Sequence, residues 1–267
     1  METISSGANP WVKRVRLLLA DRRHRRREGA FVVEGVQPTW RAVEAGWDVE
    51  ALVVCPPLLG DSPALAMIED LRSRGVRVLH LSRELFERLS DRDGPSGLAA
   101  VVRARSLDLA AFPVGPEAVV VALHRVANPG NLGTIVRTVD AVGGAGIVLV
   151  GDTADPFAPA AVKASMGSLF AVPIARVPTV EAFLDWAARH GVTVLATSGY
   201  ATAEHWDVEY RPPLAVLLGN EGEGLPDAAL EGADVRVRIP MAGTAESLNL
   251  SVAAAVMLYE ARRRAVG

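Results

Sequence analysis

An arginine, three glutamates and several side-chain amides stand in three loops that are rich in Gly, Asn and Pro. The loops are Asn128-Pro-Gly-Asn-Leu-Gly-Thr-Ile-Val-Arg137, Leu218-Gly-Asn-Glu-Gly-Glu-Gly-Leu-Pro226 and Ile239-Pro-Met-Ala-Gly-Thr-Ala-Glu-Ser-Leu-Asn-Leu-Ser251. Each follows a β-like run, and the first and third lead into helices. In the first, Asn131 stands where an N-cap is expected, ahead of an apolar stripe made by Leu132, Ile135, Val136, Val139 and Val142. Arg137 falls off that stripe, so its guanidinium can face a cleft, although the spacing alone favours a surface pair with Asp140. In the second loop, glycines after a buried strand let the backbone bend sharply and a ligand approach it closely. The pattern is not G-x-G-x-x-G, which speaks against a conventional dinucleotide-binding domain. In the third, Ser247 is placed to cap the last helix. Glu221 and Glu223 have no His or Cys beside them, so they do not suggest a metal site.

The order and chemistry of these segments resemble the three motifs of the SpoU/TrmH family of RNA ribose 2′-O-methyltransferases. The resemblance implies methyl transfer from S-adenosylmethionine to a ribose 2′-hydroxyl. It implies an active site holding Asn131 and Arg137, with Glu221, Ser247 and Asn249 grouped around the arginine. By matched position, Gly219, Ile239, Met241 and Leu248 are expected to line the cofactor pocket. A hydroxyl is a poor nucleophile, and negative charge builds on its oxygen in the transition state, where a fixed cation stabilises it. A guanidinium gives up its proton only with great difficulty, so Arg137 is expected to act by its charge more than as a base. The resemblance also implies a trefoil knot tied by the second and third motifs, a homodimer, and no metal. Lys163-Ala-Ser-Met-Gly-Ser168 resembles a segment of the family's rRNA-directed members; Lys163 either contacts RNA or complements the dipole of its own helix.

The elements that must position these groups alternate between β and α. After a basic helix at 10–27, strands are expected at 31–33, 52–54, 76–79 and 97–102, with helices at 36–45, 63–74 and 82–89. Residues 105–116 carry Pro113, Gly115 and Pro116 without clear periodicity and read as a linker. The alternation restarts with strands at 118–123, 146–150, 172–176, 192–197, 214–218 and 235–239. Helices are expected at 132–142, 158–166, 179–190, 226–231 and 247–264. Runs such as Val119-Val120-Val121 and Ile147-Val148-Leu149-Val150 are continuously apolar, as a parallel sheet covered on both faces requires. The fold expected is α/β: a mostly parallel, doubly wound catalytic domain at 117–267, preceded by a smaller α/β substrate-binding domain at 1–104.

The chain has 267 residues, half of them apolar, and a net charge of −3. The charge is uneven: residues 1–30 hold eight Lys and Arg against three acidic residues. Such asymmetry points to an anionic partner, and Arg22, Arg23, Arg25, Arg26 and Arg27 are the candidate phosphate contacts. The one cysteine, Cys55, excludes an internal disulfide and is expected in the core of a cytoplasmic protein. No run approaches the length of a membrane span. The leading expectation is a methyltransferase acting on rRNA. The alternatives are a tRNA methyltransferase and an inactive RNA-binding assembly factor on the same scaffold.

Overall fold

The structure is a computed structural model and describes residues 3–91 and 93–266. The chain divides into two units, one of Met1–Arg105 with Phe157–Phe170, the other of Ser106–Pro156 with Ala171–Gly267.

The first unit runs through α1 (Pro10–Ala20), α2 (Arg22–Glu28), β1 (Ala30–Glu34), α3 (Val36–Glu44), β2 (Val49–Val54), α4 (Pro56–Leu59), α5 (Ala64–Ser73), β3 (Arg77–His80), α6 (Arg83–Leu89) and β4 (Leu98–Arg103). The single basic helix expected at 10–27 is two helices. Asp21 breaks it with extended backbone, its N–H closing α1 on the Leu17 carbonyl and its carboxylate capping α2 at the Arg23 N–H, 2.8 Å away. The strands form a sheet in the order β1-β4-β2-β3, with β1 and β2 antiparallel to β4 and β3 parallel to β2. Val12, Val15 and Leu18 of α1 pack with Leu85 and Phe86 of α6 against Val32, Val53, Leu79 and Val101 of the sheet. Cys55 is fully buried in this core. Helix α8 (Pro159–Ser165) belongs to this unit although the chain reaches it only after the sixth strand. Aromatic packing explains it: Phe31 lies 4.7 Å from Phe157 between ring centroids, and Trp47 donates from its indole N–H to the Phe170 carbonyl at 3.1 Å.

The second unit contains β5 (Val119–His124), α7 (Pro129–Val142), β6 (Gly146–Val150), β7 (Ile174–Val177), α9 (Val180–Arg189), β8 (Thr193–Thr197), β9 (Ala203–Glu204), β10 (Leu214–Leu218), α10 (Asp227–Glu231), β11 (Val235–Arg238) and α11 (Leu250–Val266). Its seven strands run in the order β7-β6-β5-β10-β8-β11-β9, and every pairing is parallel. Every residue of β6 and β10 is buried, the outcome their unbroken apolar runs demand. One face packs on Phe183 and Trp186 of α9. Helix α7 packs on α11, and α11 also contacts β10. The segment read as a linker is not a free tether. Leu107 donates its N–H to the Ile174 carbonyl at 3.0 Å, and buried Phe112 meets Trp186 edge-on at 5.8 Å. Because all strands point the same way, the loops leaving β5, β10 and β11 emerge at one edge of the sheet, its carboxyl edge, where ligands bind in open α/β sheets. Among the described residues, no helix is long and apolar enough to cross a membrane.

Candidate active site

The three loops are joined by one chain of hydrogen bonds. Helix α7 begins three residues earlier than its apolar stripe suggests, because Asn128, not Asn131, is the cap. Its Oδ1 accepts from the N–H groups of Gly130 (2.8 Å) and Asn131 (3.1 Å), and Pro129 occupies the first helical position. The Asn-Pro pair signals this start, since proline is preorganised for the first turn and has no N–H to satisfy there. Freed from capping, Asn131 turns its side chain outward. Its Nδ2 donates to Glu221 Oε1 at 3.1 Å, and its Oδ1 accepts from Asn249 Nδ2 at 3.2 Å.

Asn249 rather than Ser247 opens the last helix. Its carbonyl receives the Ala253 N–H at 2.9 Å, and its Oδ1 accepts from Ser251 N–H (2.9 Å) and Ser251 Oγ (2.7 Å). Ser247 stays exposed in the loop before it. The direction of the chain is fixed at both ends. The Glu221 carboxylate only accepts, so Asn131 presents its NH2 there; the cap consumes the Asn249 oxygen, so its NH2 faces Asn131. Glu221 Oε2 also accepts the Ala127 N–H at 3.3 Å.

The loop that carries Glu221 is built to hold it. Asn220 and Gly224 exchange backbone hydrogen bonds at 3.1 and 3.0 Å, and the Asn220 Oδ1 gathers the N–H groups of Gly222 and Glu223. Asn220 Nδ2 ties the loop to the Arg125 carbonyl at 2.8 Å, just after β5. Gly219 makes this closure possible: a Cβ there would stand 2.2 Å from the Gly224 carbonyl carbon. Asn220 and Ser251 are site residues that sequence reasoning does not reach; Asn128 stands in the first motif by resemblance, but its capping role is marked only by the Asn-Pro signal.

Burial raises the pKa of Glu221, but hydrogen bonds from Asn131 and from the backbone N–H groups of Glu221, Ala127 and Asn128 outweigh it, and the group titrates below its ordinary 4.5. A carboxylate held below its unfolded value contributes stability above that value and loses it as pH falls through the folded one. The melting temperature of wild type is therefore expected to fall more steeply than that of Glu221→Gln as pH drops below 4.5. Parallel curves for the two proteins would show that the carboxylate does not hold the loops together.

Arg137 projects from the exposed side of α7 and, among the described residues, has no hydrogen-bond or ion-pair partner. The surface pair with Asp140 is not formed. Gly219 is buried, Ile239 and Leu248 are half-buried, and Met241 is exposed. Of the five candidate arginines, Arg23, Arg26 and Arg27 are exposed and Arg22 is half-buried. Arg25 is set apart from them: it is 6% exposed and donates to the Leu18 and Leu19 carbonyls at 2.8 and 3.2 Å, satisfying the end of α1. Lys163 is exposed on α8, in the first unit. Among the described residues, no group of three or more His, Cys, Asp and Glu is placed to hold a metal ion.

Fold and site together define an α/β domain with its polar network at the carboxyl edge of a parallel sheet, and comparison with known proteins specifies the class. Residues 118–259 match the SpoU rRNA Methylase family, and residues 9–100 match the MRM3-like substrate binding domain. The chain is 34% identical over 255 residues to the 23S rRNA (uridine(2479)-2′-O)-methyltransferase of Streptomyces viridochromogenes, covering 93% of this chain and 88% of that one. It is 30% identical to the 23S rRNA (guanosine(2553)-2′-O)-methyltransferase RlmP of Bacillus subtilis, covering 98% and 100%. An AdoMet-bound rRNA methyltransferase from Sinorhizobium meliloti superposes with a TM-score of 0.90 at 38% identity, covering 98% of this chain and 97% of that one. The chain belongs to the SpoU rRNA methylase family.

Proposed function

We propose that this protein methylates the 2′-hydroxyl of a ribose in RNA, with rRNA as the substrate class and S-adenosylmethionine as the donor. The observation that carries the reading is the hydrogen-bond chain Glu221–Asn131–Asn249, which locks the three motif loops together; Arg137, on the same helix as Asn131, is exposed and has no partner among the described residues. The residues fit the donor: half-buried Ile239 and Leu248 and exposed Met241 offer apolar walls for an adenine ring, and the glycine-rich loop after β10 offers backbone groups. When bound, S-adenosylmethionine supplies a methyl group made electrophilic by its sulfonium.

The chain's own residues do the rest. Arg137 holds a permanent positive charge where the ribose oxygen develops a negative one, and so lowers the free energy of the oxyanion. Asn131 and Asn249 fix the loops around it, with Glu221 as their common anchor and Ser247 a further polar group in the third loop. The threading of residues 239–249 into a trefoil knot and the pairing of two copies are parts of the same proposal. The exposed Val252 and Tyr259 on α11 give the second copy an apolar face to cover. The protein then works in the cytoplasm, where its RNA is.

The first unit supplies RNA affinity. Arg23, Arg26 and Arg27, with Arg22 and Lys163, are set to contact phosphates, which position an RNA without reading its sequence. Replacing Arg23, Arg26 and Arg27 together by Ala is expected to weaken RNA binding and to flatten its salt dependence by about 0.7 per lost contact in the slope of log K against log salt. An unchanged slope would remove these arginines from the interface. The reading as a whole is tested by mapping 2′-O-methyl sites in RNA from cells with and without the protein. One rRNA nucleotide is expected to lose its mark, whereas a loss in tRNA would redirect the substrate and no loss at all would overturn the reading.

A further inference from the structure

The register of the parallel sheet places a loop outside the three motifs directly between two of them. Strand β8 lies between β10 and β11, with Ala196 opposite Leu217 and Thr197 opposite Val237. Continuing that register by one residue sets Ser198 between Gly219 on one side and Arg238 on the other, and the Ser198 N–H bonds the Val237 carbonyl at 2.9 Å. The chain leaves the sheet there through a short turn. Ser198 accepts the Tyr200 N–H on its hydroxyl at 3.3 Å and the Ala201 N–H on its carbonyl at 3.1 Å. Ala201 is buried, and Tyr200 is pushed out to 99% exposure.

An aromatic ring held by a pinned turn, with neither face packed, at the edge where the motif loops emerge, lacks a structural reason to be aromatic. We propose that Tyr200 is a positioning residue for the substrate: its ring stacks on an unpaired nucleobase next to the ribose that is methylated. A ribose can present its 2′-hydroxyl to a protein cleft when its segment is single-stranded and splayed, and such segments are gripped by stacking bases on aromatic side chains. Tyrosine offers a π-face to any base, so it would hold the neighbouring nucleotide in place without reading its identity. The inference rests on the proposed RNA methylation and goes beyond it in naming the group that holds the RNA at the catalytic edge.

The test uses the full-length protein and an rRNA fragment containing the methylated nucleotide. Tyr200→Ala is expected to raise KM for that fragment about tenfold, within the range of about 5- to 150-fold that loss of one stacked base allows. The kcat at saturating RNA should change far less, and Tyr200→Phe should restore KM. Tyr200→Trp supplies a readout independent of turnover, since its fluorescence should be quenched when RNA binds without donor present. Unchanged RNA affinity in Tyr200→Ala would overturn the inference, as would a loss confined to S-adenosylmethionine binding or to the oligomeric state. Absence of methyl transfer by wild type would instead refute the proposed function, while the binding and quenching arms would still decide the role of Tyr200.

Discussion

Arg137→Ala is expected to lower kcat by about 10²- to 10³-fold, the range seen when one preorganised group facing an oxyanion is removed. Folding should hardly change. The side chain is exposed on α7, and no partner would be orphaned by its loss; surface changes of that kind stay within about 0.5 kcal/mol. Binding of RNA and of S-adenosylmethionine, measured separately, should persist, which distinguishes a chemical role from a binding one. Arg137→Lys refines the claim. If charge is what lowers the barrier, lysine restores a substantial part of the activity that alanine loses. A lysine variant as inactive as alanine, with both ligands still bound, would show that the planar fork of the guanidinium is required and that charge alone is insufficient.

Gly219→Ala is expected to have the largest effect on stability. The added Cβ would lie 2.2 Å from the Gly224 carbonyl carbon, 2.4 Å from its oxygen and 2.5 Å from the Leu225 nitrogen. All three are backbone atoms, so no side chain can swing aside, and the closed loop from Asn220 to Gly224 must open. Overpacking of this kind costs about 3 kcal/mol or more, and for a domain of this size each kcal/mol lowers the melting temperature by about 2–4 °C. A drop of about 6–12 °C is expected, together with loss of activity, because Glu221 sits within the opened loop. An alanine variant melting with wild type would show that the loop closes differently from the structure described above.

Much of this site can be read from residue types, and the shortfalls have physical causes. Continuous apolar runs such as Ile147–Val150 announce buried parallel strands, because both faces of such a strand are covered. Asn131, Glu221 and Asn249 stand in the right loops by resemblance. Their mutual bonds are invisible in sequence, since they join positions about 90 and 118 residues apart. Helix starts were misplaced for one shared reason. Periodicity marks where an apolar stripe begins, while the first turn is set by the cap, here Asn128 and Asn249 rather than Asn131 and Ser247. The break at Asp21 escapes periodicity as well, because the segment after it, Arg22–Glu28, carries no apolar stripe whose phase could show a second helix. The placement of Phe157–Phe170 with the first unit depends on Phe31 and Trp47, more than a hundred residues earlier, and no local pattern records a contact of that range.

The central claim, that Arg137 serves transfer of a methyl group to a ribose oxygen, is tested most directly with methyl-labelled S-adenosylmethionine and purified rRNA, followed by complete alkaline hydrolysis. A 2′-O-methyl group blocks attack on the adjoining phosphate, so the account predicts label in an alkali-resistant dinucleotide with wild type and almost none with Arg137→Ala. Label recovered in ordinary mononucleotides would mean methylation of a base, and equal labelling by the two proteins would mean that the arginine is not part of the chemistry; either result would contradict it.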